Sequence, residues 1–118
     1  MDWTEAVAKD TARTYDLKVN WPVSRHILDV GFKDSFRTLK PDPVSDHGYS
    51  WTPRPEPNEV FDRIDIVYYY GNSVQPVSVC NIGPDITNPD TDIEFIEYPS
   101  DHRAVLAEFL LDYKPADE

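Results

Sequence analysis

The stretch FDRIDIVYYYGNSVQPVSVCNI, residues 61–82, decides the fold class of this chain. Over residues 61–70 the side chains alternate between two faces, with isoleucines and tyrosines together on one of them. Such alternation predicts a β-strand. Gly71-Asn72 then predicts a turn, and the β-branched residues of 74–82 predict an antiparallel partner strand.

The sequence before this predicted hairpin favours helices. Residues 2–15 begin with an acidic capping pair and continue with several alanines. Pro22 suits the first turn of a second, short helix that ends before Gly31. Residues 34–39 predict one more helical turn, which the prolines that follow bring to an end.

Two further segments predict strands. Residues 49–52 have the composition of a short strand. Residues 103–111 are apolar on both faces, which favours a central strand, although their alanines and leucines are also compatible with a helix. The pattern predicts a single α+β unit over residues 1–118, mainly helical over 1–40 and mainly strands over 48–112. N-terminal helices would cover one face of an antiparallel β-sheet of about four strands.

Composition narrows the classes of function. The 118 residues include 22 acidic and 11 basic side chains, for a formal net charge of -11, which disfavours extended nucleic-acid binding. No apolar stretch approaches the roughly 20 residues that span a bilayer, and the first residues do not resemble a signal peptide. The single cysteine, Cys80, excludes a disulfide within the chain. The compartment stays open, either cytoplasmic or reached by export from a longer precursor.

Asp65 and His102 are the candidate chemical groups. Asp65 lies inside the predicted strand 61–70, and His102 stands just before the predicted strand 103–111, so the two are expected to meet at one end of the sheet. A carboxylate that accepts the proton of one ring nitrogen fixes the tautomer and raises the basicity of the other nitrogen. A general base or a phosphate-contacting histidine needs this arrangement. A buried Asp–His pair that only satisfies its own hydrogen bonds is an equal alternative on these residues alone.

Four segments of the chain occur in an order that resembles a known family. They are GFKDSFR (31–37), GYSWTP (48–53), DRID (62–65) and PSDHRAV (99–105). Together they resemble the C-terminal half of the endonuclease/exonuclease/phosphatase family. Its members are metal-dependent phosphoesterases, among them exonuclease III-like repair nucleases, pancreatic-type deoxyribonuclease, inositol polyphosphate phosphatases and sphingomyelinases. The resemblance extends over nearly the whole chain and implies one half of a four-layer α/β/β/α sandwich.

The resemblance also implies roles for individual residues. His102 matches the family's catalytic histidine, which contacts the scissile phosphate, and Asp65 matches the carboxylate that orients it. Asp101 matches an aspartate near the divalent metal, for which hard oxygen ligands imply Mg²⁺ or Mn²⁺. Trp51 and Arg63 belong to motifs that line or support the site, and we assign them to substrate binding or structural support.

Two residues of the first segment are expected to have structural roles. Asp34 and Arg37 carry charges that suit hydrogen bonds between a helical turn and the sheet. We therefore expect them to stabilise the fold rather than to take part in catalysis.

The chain also departs from the family pattern. The family's early metal-binding glutamate and its Asp-x-Asn motif have no counterpart here, which implies a half-domain. Nucleases of the family often carry tyrosine where this chain has Ile66, and glycine where it has Pro99. These two differences weaken a nuclease assignment.

The resulting hypothesis is the C-terminal part of a metal-dependent phosphoesterase acting on a small or lipid-like phosphoester, with the fragment alone inactive. A half-sandwich leaves one sheet face exposed, so we expect a partner there: the missing N-terminal half, or a second copy in a sheet-on-sheet homodimer. A stable interface of this kind buries roughly 1,600 Å². The alternatives are a nuclease of the same superfamily and a non-catalytic interaction module that retains the fold.

Overall fold

The computed structural model describes residues 21–51, 62–83 and 98–114. The predicted helix over residues 2–15 lies outside them. The described part is mixed α+β and mostly β, which confirms the predicted fold class at that level. Its helices and strands are α1 (Pro22–Asp29), β1 (Lys33–Asp34), α2 (Ser35–Leu39), β2 (Tyr68–Tyr69), β3 (Val74–Ile82) and β4 (Ala104–Leu111).

Helix α1 begins at Pro22 and ends before Gly31, as these two residues predict. Pro22 occupies the first turn, where its missing N–H removes no helical hydrogen bond. At the other end Gly31 adopts a φ of 101°, in the left-handed region, and its N–H donates to the carbonyl of Leu28. None of the helix residues is buried, so α1 lies on the surface.

Helix α2 is short and depends on its cap. The Asp34 carboxylate accepts hydrogen bonds from the backbone N–H groups of Phe36 and Arg37, which have no partner within the helix. Strand β1 immediately before it pairs antiparallel with β2, in the register Lys33↔Tyr69. The helical turn predicted over residues 34–39 is therefore confirmed.

Strands β3 and β4 form the longest ladder of the described residues. They pair antiparallel from Val74↔Leu111 to Ile82↔Ala104. The register shifts between Pro76 and Ser78, because a proline has no N–H to donate to the ladder and such positions favour a bulge. The strand prediction for residues 103–111 is confirmed over Ala104–Leu111, and the helical alternative is excluded.

The predicted single sheet of about four strands is not what the described residues form. They form two separate two-stranded antiparallel sheets, β1-β2 and β3-β4. The predicted hairpin between residues 61–70 and 74–82 is wrong, because β2 pairs with β1 while β3 pairs with β4. Of the described residues 62–70 only Tyr68–Tyr69 is strand, and the described residues 49–51 contribute a single bridge, Trp51↔Asp62.

The segment before β2 is not a paired strand because the side chain of Ser50 and the first residue of α2 supply hydrogen bonds that a neighbouring strand would have supplied. The N–H groups of Ile64 and Asp65 donate to the Ser50 hydroxyl at 3.1 and 3.0 Å. The carbonyl of Val67 accepts from both the backbone N–H and the hydroxyl of Ser35. The N–H groups of Ile64 and Asp65 and the carbonyl of Val67 are thus satisfied without a ladder.

A small core lies between α2 and the sheets. Among the described residues the buried apolar side chains are Phe36, Tyr69 and Val79. The Tyr69 ring lies 5.7 Å from the Phe109 ring, which links the two sheets. Gly48 closes over Phe36 with a φ of 68°, and a Cβ there would lie 2.7 Å from the ring, so this close approach requires glycine.

Among the described residues, neither helix has the length and apolar character needed to cross a membrane.

Candidate functional site

The structure brings Asp65 and His102 into contact. The Nδ1 atom of His102 lies 2.6 Å from the Oδ2 atom of Asp65, across 37 positions of sequence. Their side chains are 36% and 44% exposed, so the pair lies at the surface and a ligand can reach it. This exposure argues against the alternative of a buried Asp–His pair.

Backbone hydrogen bonds hold the two segments of the pair next to each other. Ser50 lies between them and is completely buried. Its hydroxyl accepts the N–H groups of Ile64 and Asp65, and its carbonyl accepts the N–H of Arg103 at 2.7 Å. One residue therefore contacts the backbone on both sides of the site.

A local turn sets the direction of the His102 segment. The hydroxyl of Ser100 accepts the backbone N–H of His102 at 3.0 Å. This serine turn follows Pro99, whose fixed φ limits the freedom of the same segment. The histidine is therefore presented from a loop that hydrogen bonds at Ser100 and Arg103 restrain.

The electrostatics of the site favour a protonated imidazole. The hydrogen bond that the Nδ1–H of His102 donates to Asp65 raises the pKa of His102 above its ordinary value, and desolvation opposes this effect in part. The negative charges of Asp65 and Asp101 raise this pKa further. The Asp65 bond occupies Nδ1, so Nε2 is the nitrogen that can donate a proton to a bound anion.

We expect Asp65→Asn to lower the pKa of His102. The amide cannot supply the charge or the charged hydrogen bond that stabilises the imidazolium. Because the folded-state pKa is raised, the pair contributes stability fully below the ordinary histidine pKa of about 6.5, and the contribution disappears as pH rises through the folded value. The D65N chain should lack this pH-dependent part of its stability.

The measurement is an NMR titration of the His102 ring together with urea unfolding at several pH values. Asp29→Asn is the matched control, because Asp29 pairs with Arg25 on the exposed surface of α1. The control should leave the His102 titration unchanged. An unchanged His102 pKa in the D65N chain would contradict the assignment of Asp65 as its main determinant.

Asp101 is exposed and adjacent to His102 in sequence. Within residues 21–51, 62–83 and 98–114 there is no group of three or more His, Cys, Asp or Glu side chains that could hold a metal ion. Mg²⁺ is often held by one or two carboxylates together with waters and substrate oxygens. An exposed Asp101 fits one ligand of such a site, and its metal-binding role stays a prediction.

Of the two roles predicted for Arg63, substrate binding and structural support, its contacts favour the second. Its side chain is 4% exposed, and its two terminal nitrogens donate to the Asp34 carboxylate at 2.7 and 2.5 Å. Its guanidinium carbon also lies 5.1 Å from the centre of the Phe36 ring. A buried and bidentately paired guanidinium supports the fold, so we assign Arg63 a structural role.

The other predicted residues divide between structure and site. Arg37 donates to the carbonyls of Lys40, Asp46 and His47, which ties α2 to the loop after it. These contacts of Arg37 and the cap contacts of Asp34 are structural, as expected, but the bonds of Arg37 go to the loop rather than to the predicted sheet. Trp51 is half-buried and its backbone pairs with Asp62, and its contact with a substrate stays a prediction.

Sequence reasoning missed Ser50. The available signal was a small polar residue between two aromatic residues in YSW, at a position predicted to be strand. A buried serine in such a place needs a hydrogen-bond partner, which makes it a candidate link to a neighbouring segment.

Comparison with known proteins gives one informative similarity. The chain is 32% identical over 117 residues to uncharacterized protein F14F9.5 of Caenorhabditis elegans. The match covers 92% of this chain and 36% of that protein, so the chain spans about a third of the relative's length. No protein-family model and no solved structure matches the chain.

Proposed function

We propose that this chain is the C-terminal part of a metal-dependent phosphoesterase with the endonuclease/exonuclease/phosphatase fold. The observation that carries the proposal is the 2.6 Å contact between His102 and Asp65. These residues come from two of the four segments that resemble the family, and the resemblance implies this same pairing. Its surface position suits a pair that acts on a ligand.

The chemistry follows from the two ring nitrogens of His102. Asp65 accepts the Nδ1 proton and so fixes the orientation of the ring. The raised pKa keeps a proton on Nε2 over a wider pH range, where it can donate to a phosphate oxygen and stabilise the charge that develops as water attacks phosphorus. A bound Mg²⁺ or Mn²⁺ would polarise the phosphoester, and Asp101 is the residue of this chain that would help hold it.

The exposed apolar surface supports a half-domain. Only three apolar side chains of the described residues are buried, whereas Leu106 and Leu110 on β4 are 46% and 59% exposed. Fully burying an exposed leucine contributes about 1.5–3 kcal/mol, and a covering partner would add a share of this for the exposed part of each side chain. We propose the missing N-terminal half of the domain, or a second copy of this chain, as that partner. The F14F9.5 relative extends well beyond the matched segment, which is compatible with a longer parent protein.

Charge indicates the class of substrate. A net charge of -11 repels a polyanion over an extended surface, whereas a single phosphate group needs only a local site. We therefore propose a small or lipid-like phosphoester.

The test is a hydrolysis assay on this chain joined to an N-terminal half of the same fold, as one longer protein. Bis(4-nitrophenyl) phosphate and 4-nitrophenyl phosphate serve as diester and monoester probes. We expect hydrolysis of at least one probe with Mg²⁺ or Mn²⁺, loss of activity on chelation and recovery on metal addition, because the metal supplies the Lewis acid. The 118-residue chain alone should be inactive. A folded longer protein that hydrolyses neither probe with either metal would contradict the proposal.

A further inference from the structure

Ser50 is the residue through which the two halves of the Asp65–His102 pair are connected. It is completely buried, and its hydroxyl accepts two consecutive backbone N–H groups, those of Ile64 and Asp65. Its carbonyl accepts the N–H of Arg103, the residue after His102. Ser50 thus contacts the backbone of Asp65 directly and the backbone beside His102.

The hydroxyl has a function here that a methyl group cannot replace. Residues 63–67 lie outside any strand of the described part, so no ladder partner supplies acceptors for these two N–H groups. A serine oxygen has two lone pairs, and both are used by these bonds. Two adjacent peptide groups held by one oxygen have little rotational freedom, which fixes the direction in which the Asp65 side chain leaves the backbone.

We propose that Ser50 is a positioning residue that holds Asp65 at hydrogen-bonding distance from His102. Its relevance to catalysis rests on the phosphoesterase function proposed above, whereas its effect on the pair does not. The hydrogen bonds of Ser50 among the described residues go to backbone groups and not to the ring of His102, so it acts through Asp65.

The chain contains a matched control in Ser35. This serine is also completely buried, and its hydroxyl donates to the carbonyl of Val67 at 2.7 Å. It holds the same segment two residues beyond Asp65, but it has no contact with the amide of Asp65 or with Arg103 among the bonds of the described residues. Ser50→Ala and Ser35→Ala therefore each remove one buried hydroxyl, but only Ser50→Ala removes a hydrogen bond to the backbone of Asp65.

The experiment is ¹⁵N NMR of the His102 ring in the 118-residue chain, at a pH above the titration of the ring. Wild type should hold the proton mainly on Nδ1, facing Asp65. In S50A the ratio of Nδ1–H to Nε2–H tautomers should fall roughly tenfold, the factor that the loss of a hydrogen bond of about 1.4 kcal/mol produces. S35A should keep the wild-type ratio. A wild-type ratio in S50A would overturn the proposal, and so would an equal fall in both variants.

A measurement on the wild type covers the case in which S50A does not fold. The amide protons of Ile64 and Asp65 should exchange with solvent more slowly than unprotected amides, because the Ser50 hydroxyl binds both. Exchange of both at the unprotected rate would overturn the proposal. Neither readout involves hydrolysis, so a negative hydrolysis assay would remove the phosphoesterase function and leave the role of Ser50 intact.

Discussion

Arg63→Met is expected to lower the free energy of unfolding by about 3–5 kcal/mol, because it leaves the Asp34 carboxylate buried without its cation. The two terminal nitrogens of Arg63 donate to the two oxygens of Asp34, and the side chains are 4% and 12% exposed. Methionine keeps most of the volume but supplies no charge and no hydrogen bond. The substitution also removes one of the three cations that lie against the Phe36 ring, and Arg37 and Lys40 remain there.

The same carboxylate connects this loss to the local fold. Asp34 caps α2 through the N–H groups of Phe36 and Arg37, and Arg63 holds it in that position. We therefore expect α2 to loosen in the Arg63→Met chain, together with the packing of Phe36 at the centre of the described core.

Urea unfolding measures this prediction, and Arg25→Met is its matched control. Arg25 pairs with Asp29 one helical turn away, with side chains 65% and 59% exposed, so solvent screens the pair. The control should lose no more than about 0.5 kcal/mol. If the two substitutions have equal effects, the Arg63–Asp34 pair does not stabilise the fold as we propose.

Local sequence signals were sufficient to predict the helices that begin or end at a proline, a glycine or a capping aspartate. Pro22 and Gly31 bound α1, and Asp34 caps α2, because each of these residues acts on its own few neighbours. Strand β4 was predicted from its apolar residues, and the structure pairs it with β3 over its whole length. These predictions needed no knowledge of distant contacts.

Pairing between strands was not predictable in the same way. The alternating pattern of residues 61–70 indicated an extended segment, but it did not indicate which segment would pair with it. The partner of β2 is the two-residue strand β1, 34 positions earlier by the register Asp34↔Tyr68. A strand of two residues is too short to have a periodic signal. The turn at Gly71-Asn72 therefore joins two sheets rather than closing a hairpin.

At the candidate site, too, contacts between distant segments were only partly predictable from the sequence. The resemblance predicted that Asp65 and His102 belong together, and the structure brings them into contact. It did not predict that Arg63, two residues before Asp65, would be buried against Asp34, because that pairing depends on the position of α2. Ser50 was missed for a related reason: the YSW pattern marks a buried polar residue that needs a partner, but its partners lie on distant segments that the pattern does not identify.

Under the phosphoesterase function that we propose, His102→Ala is expected to reduce kcat/KM of the longer protein by about 10²–10⁴-fold, because it removes the imidazole that would donate a proton to the phosphate. The same substitution should change the free energy of unfolding by less than about 1 kcal/mol, since the ion pair that it removes is more than a third exposed on both sides. A large fall in rate with an almost unchanged unfolding curve would distinguish a catalytic residue from a structural one.

His26→Ala is the matched control for this substitution. His26 is an exposed histidine near the end of α1, so its loss changes the same kind of side chain away from the candidate site. The control protein should keep the wild-type rate with bis(4-nitrophenyl) phosphate and with 4-nitrophenyl phosphate.

If His102→Ala lowers stability but leaves the rate at the wild-type value, the imidazole does not act on the phosphate. A longer protein without measurable hydrolysis, whose His102→Ala variant differs only in stability, would instead favour a non-catalytic interaction module. Comparing the change in kcat/KM with the change in the free energy of unfolding therefore decides whether the Asp65–His102 pair is catalytic or structural.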